Sequence, residues 1–96
     1  MTISVKHDEW LFKELQNPNF AAEYLNAASE DDDPRTYLTA LRKVVEARGG
    51  IANVADKTAL SKETLYRTLS ARGNPTIKTL TAVLNAVGLK MAVIVH

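Results

Sequence analysis

The sequence contains no cysteine, which excludes a disulfide scaffold, a thiolate metal site and a cysteine nucleophile, and suits a cytosolic protein. Long apolar runs are missing too. No segment approaches the ~20 apolar residues needed to cross a bilayer, so no membrane partner is expected. The opening residues turn charged at once, at Lys6, His7 and Asp8, and do not read as a signal peptide. Histidine is scarce. His7 and His96 sit at opposite ends, neither with a second ligand at helical or hairpin spacing, so no metal site is expected. There is no glycine-rich phosphate loop, no supportable Ser/His/Asp set and no paired carboxylates in a credible pocket. No cofactor is expected, and an enzyme is not.

What is present suits a globular chain. Ninety-six residues with 46% apolar and 24% charged content fit one domain over residues 1–96. The net charge of +1 conceals a division. Residues 1–33 hold two basic and eight acidic groups, a balance of −6, whereas residues 34–96 hold ten basic and three acidic groups, a balance of +7. Such asymmetry suggests two surfaces with two kinds of partner. The basic half suits a polyanion and the acidic half a basic protein.

Helical signals recur along the chain. A short first helix is expected near Asp8, with Trp10, Leu11 and Leu15 on its apolar side. Asn17-Pro18 and Asp33-Pro34 each read as a cap followed by proline at the first helical position. The second helix carries Phe20, Tyr24, Leu25 and Ala28. The third carries Tyr37, Leu38, Leu41, Val44 and Val45 inward, with Arg35, Arg42, Lys43 and Arg48 largely on the other side, and ends at Gly49-Gly50. Residues 51–58 read as a two-turn helix. Ser61 caps another over residues 62–70. Thr76 caps a last helix with Ile77, Leu80, Leu84 and Val87 facing the core and Gly88 at its C′ position. The tail, residues 89–96, is rich in β-branched residues and reads as a strand; residues 2–5 are the other strand-like stretch, so the two could pair within one chain or between two.

The informative spacing lies between residues 51 and 70. A helix-turn-helix needs a small residue where the second helix presses on the first, apolar residues at the contacts, and a capped second helix whose first turn is polar. Ala55 supplies the small residue; Val54, Leu60, Leu65 and Leu69 supply the contacts; Ser61, Lys62 and Glu63 supply the capped polar turn. Residues 40–89 also resemble the Cro/CI-type helix-turn-helix antitoxins known as addiction-module antidote proteins, which are similar to the HigA type. The resemblance rests on Ala47-Arg48-Gly49-Gly50, on the run from Leu60 to Ser70, on Gly73-Asn74-Pro75, and on Thr79-Leu80 through Gly88-Leu89. Upstream, Tyr24-Leu25-Asn26-Ala27-Ala28 and Asp33-Pro34 fit the same pattern. It implies a five-helix, lambda-repressor-like fold, operator binding, and neutralisation of a RelE-like mRNA-cleaving toxin. Two departures stand out: Ala59 occupies a position often held by glycine, and Thr58 and Thr68 occupy positions that are commonly apolar.

The expected fold is therefore all-α. It comprises an acidic helical extension (1–33), a helix-turn-helix core (34–88), and a terminal strand (89–96) that leaves room for a small β element. Lys62, Glu63, Tyr66 and Arg67 are the candidates for contact with DNA bases, since Lys and Arg donate to guanine and Glu accepts from cytosine. Arg67 is the best single reader because its fork can bond bidentately. Lys57, Arg72, Asn74, Thr76 and Lys78 are the candidates for phosphates. Each could equally be ordinary solvated surface. Trp10, Phe12 and Phe20 could anchor a partner, although packing of the N-terminal helices accounts better for at least two of them. The expected partners are double-stranded operator DNA, a second copy of the chain, and a RelE-like toxin met by the acidic half, in the cytoplasm. The rivals are a stand-alone phage-type repressor and a protein-interaction module that has lost DNA.

Overall fold

Residues with short polar side chains decide where most helices begin. In the computed structural model, which describes residues 2–95 with side chains from residue 6 onward, four helices open on such caps. Asn17 Oδ1 accepts from the amides of Asn19 and Phe20 (2.8 and 3.3 Å) and opens α2 (Pro18–Ser29). Asp33 Oδ1 accepts from Arg35 N (2.9 Å) and opens α3 (Pro34–Ala47). Ser61 and Thr76 do the same for α5 (Lys62–Thr68) and α6 (Ile77–Ala86), through Thr64 N (3.0 Å) and Thr79 N (3.1 Å). Each cap satisfies an amide that has no partner inside its helix. The remaining elements are α1 (Thr2–Glu14) and α4 (Gly50–Thr58).

The architecture is all-helical, and no strand occurs among the described residues. Helix α3 is central, burying Leu38, Ala40, Leu41, Val44, Val45 and Ala47. Helices α1, α2 and α4 pack against it, and α4 in turn packs against α5 and α6. Leu11 and Leu15, Ala21 and Leu25, Ile51 and Val54, Leu65 and Leu69, and Val83, Leu84 and Val87 complete one continuous apolar core. Each pair or triplet recurs at helical spacing, three or four residues apart. Arg48 ties three segments together: its Nε donates to Val87 O and its Nη1 to Gln16 O, both at 2.7 Å. Helix α6 ends in a Schellman motif. Gly88 at φ 83° lets its own amide reach Asn85 O (3.1 Å) and that of Leu89 reach Leu84 O (2.9 Å).

Six expectations need correction. Helix α1 starts at Thr2 rather than near Asp8, so residues 2–5 are helical and offer no strand. The segment 89–95 is likewise without strand, having no sheet edge to pair with; His96 lies outside the described residues. Six helices occur among the described residues, where the resemblance implies five. Ile77 is 72% exposed, because it sits in the first turn of α6, and Val83 takes the inward place. Trp10 is 50% exposed, resting edge-on against Phe20 (centroids 5.9 Å apart) on the flank of the Leu11–Leu15 stripe. Arg48, placed on the solvent side by periodicity, is half-buried on backbone carbonyls.

The chain turns between α4 and α5 in three residues. Ala59 adopts φ 61°, ψ 16°, and among the described residues it is the one non-glycine with positive φ. Its amide closes α4 on Ala55 O (3.0 Å). Thr58 stitches the same turn: its hydroxyl donates to Val54 O (2.7 Å) and accepts from Leu60 N (3.3 Å). This explains a hydroxyl where an apolar residue is usual. The second constraint is at Gly73, where a Cβ would lie 1.9 Å from the Thr68 carbonyl oxygen; only glycine lets the α5–α6 loop come so close.

Two substitutions check these turns by thermal or urea unfolding. Ala59→Gly removes a left-handed penalty of about 1–2 kcal/mol, offset by about 0.4–1 kcal/mol of added unfolded-state freedom. A net gain is expected; a loss contradicts the strain at Ala59. Gly73→Ala must displace backbone and should cost about 1–3 kcal/mol. An unchanged midpoint contradicts the close approach.

Candidate nucleic-acid interface

Helix α5 has seven residues and two sides. Leu65 and the following Leu69 point into the core, with 0% and 1% exposure. Lys62, Glu63, Tyr66 and Arg67 are all exposed, and their i, i+1, i+4, i+5 spacing puts them on the opposite side. Ser61 fixes where that side begins. Besides accepting from Thr64 N, its hydroxyl donates to Thr64 Oγ1 (2.8 Å), so the cap and the first turn are locked together. Glu63 in the first turn and Arg67 in the last both complement the helix dipole.

Tyr66 is held from an unexpected direction. The Arg42 guanidinium of α3 lies over its ring, 5.4 Å from the centroid. Arg42 thus brings a further positive charge to the edge of this face. Sequence periodicity placed Arg42 on a generic solvent side; its pairing with α5 depends on how α3 and α5 are brought together, which no local pattern encodes.

The expected phosphate contacts all sit on segments bordering α5, and all are exposed. Lys57 is in the last turn of α4, Arg72 and Asn74 are in the α5–α6 loop, and Thr76 and Lys78 begin α6. The Thr76 hydroxyl is engaged in its cap, donating to Thr79 Oγ1 (3.1 Å) while accepting from Thr79 N. Residues 57–78 carry five basic groups and one acid. Among the described residues the ion pair is Arg35–Asp33 (2.7 Å), so none of the five cations is neutralised by a bridge, although Asp31 and Asp32 line one pocket with Gly73 and Asn74. A surface of unpaired cations around a protruding helix presents a field attractive to a polyanion.

The acidic half is organised differently. Asp33 caps α3 and takes the Arg35 guanidinium on both carboxylate oxygens. The Arg35 side chain beside it holds the Asp33 carboxyl below the usual carboxylate range, and the same bond raises Arg35. This cap is therefore fully ionised at neutral pH; its contribution is lost only as acid titrates Asp33 through its lowered folded value. Asp31 Oδ1 accepts from Asp33 N (2.8 Å), so it too shapes the loop. Glu30 and Asp32 remain exposed to solvent. Phe20 is half-buried against the core, Trp10 leans on it, and His7 lies beside Trp10 (5.8 Å). Phe12 is largely exposed. Burial raises the Tyr37 hydroxyl above its ordinary value.

No cluster of three or more His, Cys, Asp or Glu side chains able to hold a metal occurs among the described residues, and no described helix is long and apolar enough to cross a membrane.

Comparison with known proteins gives the family. No solved structure matches the chain. A Haemophilus influenzae (strain Rd) protein, described as uncharacterized, is 36% identical over 70 residues, covering 73% of this chain and 71% of its own length. Residues 9–95 match the family described as "Probable addiction module antidote protein". That match takes in α2 to α6 and the last six residues of α1, and the chain belongs to the addiction module antidote family.

Proposed function

We propose that this antidote is a helix-turn-helix repressor of its own operon. Helices α4 and α5 are the two arms of a Cro/CI-type, lambda-repressor-like unit within residues 34–88, and α5 is the recognition helix. The observation that carries this reading is the face of α5: Leu65 buried behind it, and Lys62, Glu63, Tyr66 and Arg67 exposed in front. Inserted N-terminus first into a major groove, that face brings Lys62 and Arg67 to guanine edges and Glu63 to cytosine. Lys57, Arg72, Asn74, Thr76 and Lys78 hold the flanking phosphates, which fix register without reading sequence. Two copies place their recognition helices roughly 34 Å apart across a palindrome.

The acidic extension, residues 1–33, meets the toxin, a basic RelE-like ribonuclease, through charge complementarity. Asp31 and Asp32 line one groove with Gly73 and Asn74, so the toxin and operator surfaces of this cytoplasmic protein meet at the α5–α6 loop. Glu30 and Asp32 are the loop acids offered to the toxin, since Asp31 and Asp33 are engaged in the fold.

Fluorescence anisotropy with duplex from upstream of the protein's own reading frame tests the first half. The Lys62→Ala/Arg67→Ala pair should erase the preference over scrambled duplex, since each lost base contact removes about 1–3 kcal/mol of discrimination. Lys57→Ala or Lys78→Ala should weaken both duplexes alike and lower the salt slope by about 1. Absence of any salt-dependent binding contradicts the repressor and favours a protein-interaction module.

Co-purification with the product of an adjacent small basic reading frame tests the second half. Glu30→Gln with Asp32→Asn should weaken capture while leaving the helical circular dichroism intact. Undiminished capture removes that loop from the toxin interface.

A further inference from the structure

The segment after α6 is unlike the rest of the surface. Met91, Val93, Ile94 and Val95 are 44%, 99%, 72% and 99% exposed, so four large apolar side chains face water within five residues. Its backbone is equally unengaged. Leu89 N closes α6 on Leu84 O, but no described group of residues 90–95 makes a backbone bond within the chain. Residues 89–95 contain no proline or glycine, three β-branched residues and the single charge of Lys90. That is the composition of a strand without the devices that keep an unpaired strand from pairing.

The mate cannot come from the described chain. It has no strand, and residues 2–5, the other strand-like stretch, are helical in α1. We propose that residues 89–95 become a strand by antiparallel pairing with the same segment of a second copy of this chain. The proposal deepens the dimeric repressor reading and rests on it for the biological use of the dimer.

Three features favour a second copy over a toxin. The first is self-complementarity. Antiparallel pairing centred on Val93 sets Val93 against its own counterpart and Met91 against the second copy's Val95, an apolar pair at positions 91, 93 and 95 of that face. It also sends the two Lys90 side chains to opposite ends, roughly 20 Å apart at strand spacing, so no like charges oppose each other. The second is charge: the segment holds no acid, and offers a basic toxin nothing to complement. The acids lie in residues 1–33. The third is a seat. A two-stranded ribbon needs one face covered, and a groove with Leu25, Tyr37, Leu80 and Leu84 among its walls, edged by Asn19, Asn26 and Ser29, runs beside residues 89–92, all of which line it. On pairing, Leu89, Met91, Val93 and Val95 alternate onto one face of a strand, which the groove can then cover. None of the four α5 readers lines the groove.

The pairing is tested on the full chain without DNA or toxin, by sedimentation equilibrium and amide hydrogen exchange. Wild type should dimerise, with protection at residues 90–95 that is lost on dilution. Val93→Pro removes a ladder donor, and Val93→Lys sets two like charges in opposition. Each should raise the dimer dissociation constant by roughly tenfold or more, with the helical circular dichroism and melting of the monomer unchanged because the side chain is already exposed. Mixing Val93→Lys with Val93→Glu should restore a heterodimer, which a merely sticky tail would not. A monomeric wild type, variants that dimerise as well as wild type, or a Val93 variant that stays dimeric but loses the toxin would each overturn the proposal. A dimer held by this segment that ignores operator DNA leaves the pairing standing and removes the repressor; a monomer that binds a single half-site does the reverse.

Discussion

Between Thr58 and Lys62 the chain ends one helix and starts another, and the exposed face of α5 depends on how it does so. The left-handed backbone at Ala59 breaks α4, while the Ser61 cap starts α5 only three residues later. Burial of Leu65 and Leu69 then fixes the rotation of α5 about its own axis, because a helix turned by one residue would expose both leucines and press Thr64 and Thr68, or Tyr66 and Ser70, into the core in their place. Once that rotation is set, Lys62, Glu63 and Arg67 face solvent, and Tyr66 is exposed beside Arg42. Strain at one alanine is tolerated because Thr58, the Ala55 carbonyl and the core on both sides hold the turn in place.

The other contacts serve that arrangement from a distance. Arg48 joins the end of α3 to the residues that follow α1 and α6, so the helices framing α4 cannot drift apart without breaking charge-assisted bonds. Arg42 reaches from α3 to the Tyr66 ring and couples the central helix to the exposed face of α5. Gly73 brings the loop after α5 close against the Thr68 carbonyl, and so places the Asn74–Lys78 neighbourhood beside the end of that helix. The result is a cationic rim around a capped helix, with the acids kept at the other end of the sequence.

Much of this was legible in the residues, and for physical reasons. Asn17, Asp33, Ser61, Thr76 and Gly88 are local signals, since a cap bonds an amide two or three residues away and needs no tertiary partner. The core of α3 was legible through its period. What failed was tertiary. Arg48 and Arg42 look alike to a periodicity argument, yet one bonds buried-side carbonyls and the other covers a tyrosine. Ile77 fits the apolar stripe of α6 but lies one turn too early to reach the core. The strand at residues 89–95 was read from β-branched composition, which states a preference that a lone chain without a sheet edge cannot satisfy. The candidate base and phosphate residues were placed on an exposed surface as expected, but exposure alone gives no ligand.

The central claim is that the side chains just after Ser61 enter a DNA groove. The most direct measurement is a residue-by-residue NMR titration of the labelled protein with duplex from upstream of its own reading frame. Amide shifts concentrated at residues 61–68 and 74–78, reversed by added salt, are the predicted result. Shifts confined to residues 7–33, or none at any salt concentration, would contradict it.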